Sequence, residues 1–122
     1  MNDFSRVLAE FASGEISPSA RTCEIIRLSL VDWLACGLAG VTEPVAKITR
    51  DMVLAEGGAG ESILFGRGVA PARAAALVNG ATSHALDFDD SHFLHIGHPS
   101  VAVLPAALAV GERFGKTLPQ IL

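Results

Sequence analysis

The sequence predicts an all-α fold, a helical bundle. Three observations carry that prediction. Apolar residues recur every three or four positions through most of the chain, the spacing of one helix face. The runs are separated by Gly, Pro, Ser and Thr at positions suited to helix stops and starts. The one segment with an extended look, Ser62-Ile63-Leu64-Phe65, has no strand partner elsewhere in the chain. Half of the 122 residues are apolar, enough to bury a core in one domain.

Phe4, Val7, Leu8 and Phe11 predict an opening amphipathic helix that Ser13-Gly14 ends. Ser17-Pro18 then supplies a start, with Ser17 as N-cap and Pro18 at the first helical position. This second helix runs to about Ala39, and Gly40 stops it. Ile25, Ile26, Leu28, Leu30, Val31, Trp33, Leu34 and Leu38 cover most of its circumference, which predicts a place in the middle of the bundle. Thr42 caps a third helix from Glu43 to about Glu56, with a weaker pattern that places it outside. Gly57-Gly58 and Gly60 close it.

Ser62 to Phe65, fenced by Gly60, Gly66 and Gly68, reads as a connection. Pro71 opens an Ala-rich helix that continues to about Phe88, interrupted at Asn79-Gly80. Its small side chains permit close helix contact. A polar link from Asp89 to His98 follows, then a helix from Pro99-Ser100 to about Phe114-Gly115, kinked by Pro105. Thr117 and Pro119 mark the cap and first turn of a last helix that stops at Leu122. Residues 1–122 therefore read as one continuous helical unit, expected to be incomplete.

Composition excludes several function classes. Nine Lys and Arg, a formal charge of −4 and a pI near 5.4 leave no basic patch suited to nucleic acid. The start, Met1 to Arg6, lacks the pattern of a secretion signal. The greasiest stretch, Leu28 to Val41, is short and contains Asp32, so no membrane span is expected. Cys23 and Cys36 fall at different heights of one helix and read as small apolar residues of a reducing compartment.

The chemistry is concentrated between His84 and His98, HALDFDDSHFLHIGH, which holds all four histidines and three aspartates within fifteen residues. On a continuing helix, His84, Asp87 and Ser91 would share one side while Asp89 and Asp90 point elsewhere, as caps or solvated loop groups. His98 precedes Pro99 at a helix amino terminus, where the dipole disfavours the imidazolium. A neutral imidazole there suits a general base or a donor to substrate oxygen. The alternative for His98 is to cap its own helix, and for Asp87 to tie down the neighbouring loop. Spacings of three between His92, His95 and His98 invite a metal reading, but Gly97-His98-Pro99 breaks any helix that would align them. No metal is assigned, and His95 reads as a loop residue.

The blocks Ala74-Ala75-Ala76-Leu77-Val78-Asn79-Gly80, His84 to His92 and His98-Pro99-Ser100 together resemble the signature of the MmgE/PrpD family. Val31 to Gly37 and Leu64-Phe65-Gly66 also fit that family's opening helices and turn. The resemblance implies the amino-terminal portion of a large helical domain. It implies a cytoplasmic lyase, usually a homodimer, acting on a small polycarboxylate by 2-methylcitrate dehydration or cis-aconitate decarboxylation, chemistry of the kind found in propionate metabolism. No iron–sulfur cluster or other cofactor is implied. Asp87 and His98 match active-site positions of the family, and Ser91 stands where Thr is common. With His92, Ser91 is taken as a substrate contact. The resemblance also implies that lysines and a further histidine come from later sequence, so this chain alone is expected to be inactive. Two other readings compete: a non-catalytic helical module that self-associates, and a small protein binding metal through its His/Asp cluster.

Overall fold

The computed structural model describes residues 3–94 and 96–122. Among them are six helices: α1 (Asp3–Ser13), α2 (Ala20–Gly40), α3 (Pro44–Glu56), α4 (Ala72–Ser83), α5 (Pro99–Arg113) and α6 (Leu118–Ile121). Two short strands, β1 (Ser62–Ile63) and β2 (Val69–Ala70), lie between α3 and α4. The all-α class holds, and among the described residues no single helix is long and apolar enough to cross a membrane.

The strands correct one expectation. Ser62–Phe65 does find a partner, because Gly66 and Gly68 take positive φ values of 93° and 88° and turn the chain straight back. Ser62 then faces Ala70, and Ile63 faces Val69, in antiparallel register. Glu112 of α5 accepts hydrogen bonds from the Ser62 hydroxyl and the Ile63 N–H. Asn79 of α4 clamps the same turn, its amide oxygen accepting from Phe65 N at 2.8 Å and its amide nitrogen donating to the Ile63 carbonyl at 2.9 Å. Asn79-Gly80 therefore does not interrupt α4. The helix passes through both residues and uses Asn79 as a lateral brace.

Helix starts follow local chemistry. Ser19, not Ser17, caps α2, its hydroxyl accepting from Thr22 N at 3.1 Å. Pro44 occupies the first turn of α3, and Glu43 replaces the expected Thr42 as N-cap, without a side-chain bond. Thr117 and Gln120 form a reciprocal capping box on α6.

The centre of the bundle is α4, which packs most extensively on α5 and then on α2 and α3. Ala72, Ala75, Val78, Thr82 and Ser83 are buried there. Small side chains let neighbouring backbones approach. A Cβ added at Gly40 would strike the Thr82 carbonyl oxygen, and one at Gly37 would strike the Phe65 ring. Expectation placed α2 in the middle, but it buries only Leu30, Trp33, Cys36, Gly37 and Gly40. Leu28, Val31 and Leu38 face outward, as do all the apolar residues of α1. The α2–α4–α5 contact is what positions the ends of α4 and α5 side by side, and the histidine-rich segment spans that gap.

Candidate active site

Helix α4 ends at Ser83, five residues short of the expected Phe88. His84 is its C-cap, with its N–H bonded to the Gly80 carbonyl at 3.1 Å. The chain then reverses at Asp87, whose φ is 57°. Asp is one of the few residues that accept this left-handed geometry, at a modest cost. The reversal removes the helical face that would have aligned His84, Asp87 and Ser91. It produces a different convergence, with His98 arriving from the start of α5.

His98 is the N-cap residue of α5 but makes no capping bond with its side chain. Its Nδ1 lies 3.0 Å from the backbone carbonyl oxygen of Asp89, and its Nε2 lies 3.3 Å from Oδ1 of Asp87. The imidazole is 27% exposed and the Asp87 carboxylate 77% exposed. The two expected catalytic residues are thus neighbours at the protein surface. His84 stands edge-on to His98, with ring centroids 4.8 Å apart.

The cap that His98 does not make is made by Asp90. Its Oδ1 accepts from Ser100 N at 3.2 Å and its Oδ2 from the Ser100 hydroxyl at 2.6 Å. The Asp90 N–H donates in turn to Asp32 Oδ2 of α2 at 3.1 Å. Asp90 keeps the capping role foreseen for it, on α5. Asp89 does not, being neither a cap nor solvated. Its carboxylate is 0% exposed and accepts from His84 Nδ1, with oxygen distances of 2.9 and 3.2 Å. His98 Nδ1 lies 3.5 Å from the same Oδ1. Among the described residues, the ion pairs of Asp87 and Asp89 are all with histidines, none with Lys or Arg.

Ser91 and His92 are exposed. Both line a cavity of about 340 Å³ bounded by Phe93, Ile96, Gly97 and His98. Its walls are held by a backbone pair, with His92 N donating to the Gly97 carbonyl at 2.9 Å. The reading of His95 lies outside the described residues. Among the described residues, the groups close enough to share a cation are His84, Asp87, Asp89 and His98, with one donor atom of each within 4.8 Å of the others. The His92, His95, His98 set considered from spacing includes a residue outside the described ones. Both Nδ1 atoms are already turned to Asp89, which leaves Nε2 atoms and Asp87 as the outward donors.

Sequence reasoning put His84 on one helical side with Asp87 and Ser91, read Asp89 as a cap or solvated group, and did not bring Asp32 to this site. The close packing of HxxDxDD against HPS was the available signal, but helical periodicity pointed the wrong way. Farther in, burial and the carboxylates Asp32, Asp89 and Asp90 push the Cys36 thiol above its ordinary range.

The sequence model of the MmgE/PrpD N-terminal domain matches residues 3–122. Comparison with curated proteins and with solved structures gave no match.

Proposed function

The chain belongs to the MmgE/PrpD family, and from that premise we propose that it forms the acid–base wall of a lyase acting on a small polycarboxylate. The reactions in view are dehydration of 2-methylcitrate-like acids and decarboxylation of cis-aconitate. The observation that supports this most is the Asp87 Oδ1 to His98 Nε2 contact at 3.3 Å, open to solvent on a turn that accepts positive φ.

In dehydration a base removes the proton beside a carboxylate while an acid protonates the departing hydroxyl, and water leaves. In decarboxylation carbon dioxide leaves, and the carbon that loses it gains a proton. One imidazole and one carboxylate in contact can pass a proton in either direction, so His98 with Asp87 serves both. Ser91 and His92, on the cavity wall beside His98, are the proposed contacts for substrate carboxylate or hydroxyl oxygens. A tricarboxylate next to Asp87, Asp89 and Asp90 meets like charge, so the cations that hold it come from outside residues 1–122. A homodimer in the cytoplasm fits this reading. The outward apolar stripes of α1 and α2 are surfaces that such an assembly would cover.

The test is a chimera in which residues 3–122 replace the matching domain of an active MmgE/PrpD dehydratase or decarboxylase. The proposal expects turnover by the folded chimera and none by the 122-residue chain. A folded chimera without activity, or turnover by the chain alone, overturns it.

A further inference from the structure

Asp89 is a carboxylate with no exposed surface that, among the described residues, pairs with two imidazoles. Burying a carboxylate is costly unless its oxygens are hydrogen-bonded, and a group kept only to tie down a loop would more cheaply be an amide or hydroxyl. The use that the geometry offers is orientation. The Asp89 backbone oxygen, 3.0 Å from His98 Nδ1, can only accept a hydrogen bond. An ionised Asp89 carboxylate, 2.9 Å from His84 Nδ1, also only accepts. His84 therefore carries its hydrogen on Nδ1 and turns Nε2 away from Asp89. His98 has acceptors at both nitrogens, and the closer, less exposed one, the Asp89 carbonyl at 3.0 Å against the exposed Asp87 carboxylate at 3.3 Å, holds its hydrogen on Nδ1.

We propose that Asp89 is the positioning residue of this site: it fixes His98 through its backbone carbonyl and His84 through its carboxylate, both as Nδ1–H tautomers. His84 becomes a second imidazole with a basic Nε2, packed edge-on to the first at 4.8 Å. The logic is that of a buried aspartate holding a catalytic histidine in one tautomer without itself becoming protonated, here with two histidines on one residue. The catalytic meaning of this arrangement rests on the acid–base reading above. The tautomers do not, so their measurement fails or succeeds apart from turnover.

Long-range ¹H–¹⁵N correlation spectra of the labelled 122-residue chain, at a pH where the imidazoles are neutral, report which ring nitrogen carries hydrogen. The expected result is Nδ1–H for both His84 and His98. In Asp89→Ala, His84 should pass to the Nε2–H form that an unconstrained imidazole favours in water. His98, still bonded to the backbone carbonyl, should keep Nδ1–H. General loosening would move both rings together. Finding Nε2–H on either ring of the native chain overturns the proposal, and so does an Asp89→Ala variant in which His84 is unchanged. If that variant loses its dispersed spectrum, the native tautomers decide alone.

Discussion

The histidine-rich segment has two halves of opposite behaviour. From His84 to Asp90, every acidic side chain has a partner: Asp87 with His98, Asp89 with His84, and Asp90 with Ser100. From Ser91 to Gly97 the described side chains stand in solvent, Phe93 98% exposed and Leu94 and Ile96 nearly so, on a loop closed by the His92–Gly97 backbone pair. Both halves mix histidine with apolar residues, but all three aspartates lie in the first. Position adds to that difference. The first half leaves a helix braced on three others and folds back at Asp87 against the start of α5, so its carboxylates meet fixed donors. The second half carries Phe93, Leu94 and Ile96 into solvent.

Substitutions break or sharpen that contrast. The largest loss of stability is expected from Asp90→Ala, which removes two bonds to the first turn of α5, one of them at 2.6 Å. A cost of roughly 2 kcal/mol should appear as a lower urea midpoint with an unchanged slope. Asp87→Gly should act in the opposite direction, because glycine takes a φ of 57° without steric cost. A gain of about 1 kcal/mol is expected in the same titration, together with loss of activity in the chimera. Phe93→Ser and Leu94→Ser should shift stability by no more than about 0.5 kcal/mol, since neither side chain is buried.

A smaller effect tests how far the anchored half extends inward. Cys36 has its thiol raised by burial and by the charges of Asp32, Asp89 and Asp90. A raised folded value means that its contribution to stability is intact below the ordinary thiol range and is lost as the pH rises through and above it. Thermal midpoints followed from about pH 8 to 10 should fall less steeply in Cys36→Ala than in the native chain. At mildly alkaline pH, iodoacetamide should also label partly exposed Cys23 ahead of Cys36.

Much of the fold was legible because local chemistry set it. Pro71 and Pro99 stand at the helix starts, and Thr117 with Gln120 makes the last cap. The order of burial was not legible. The large apolar residues of α2 suggested a central helix, yet the centre went to α4, where Ala72, Ala75 and Ser83 leave room for three neighbours. Closeness of approach, which depends on pairs such as Gly40 and Thr82 far apart in sequence, outweighed hydrophobicity. In the site, Asp87 and His98 were legible as a pair through the family signature. Asp89 was not, because its burial depends on a chain reversal at one residue of positive φ, and no periodic pattern encodes that. The choice of Ser19 over Ser17 as cap turned on which hydroxyl reaches Thr22 N.

The most direct test of the account compares the halves by turnover. In the chimera, His98→Gln and Asp87→Asn should each lower kcat by about 100-fold or more, while Leu94→Ser should leave it within about twofold. Near-native turnover in His98→Gln, or a loss in Leu94→Ser as large as in Asp87→Asn, would contradict the claim that the chemistry resides in the anchored residues around His98.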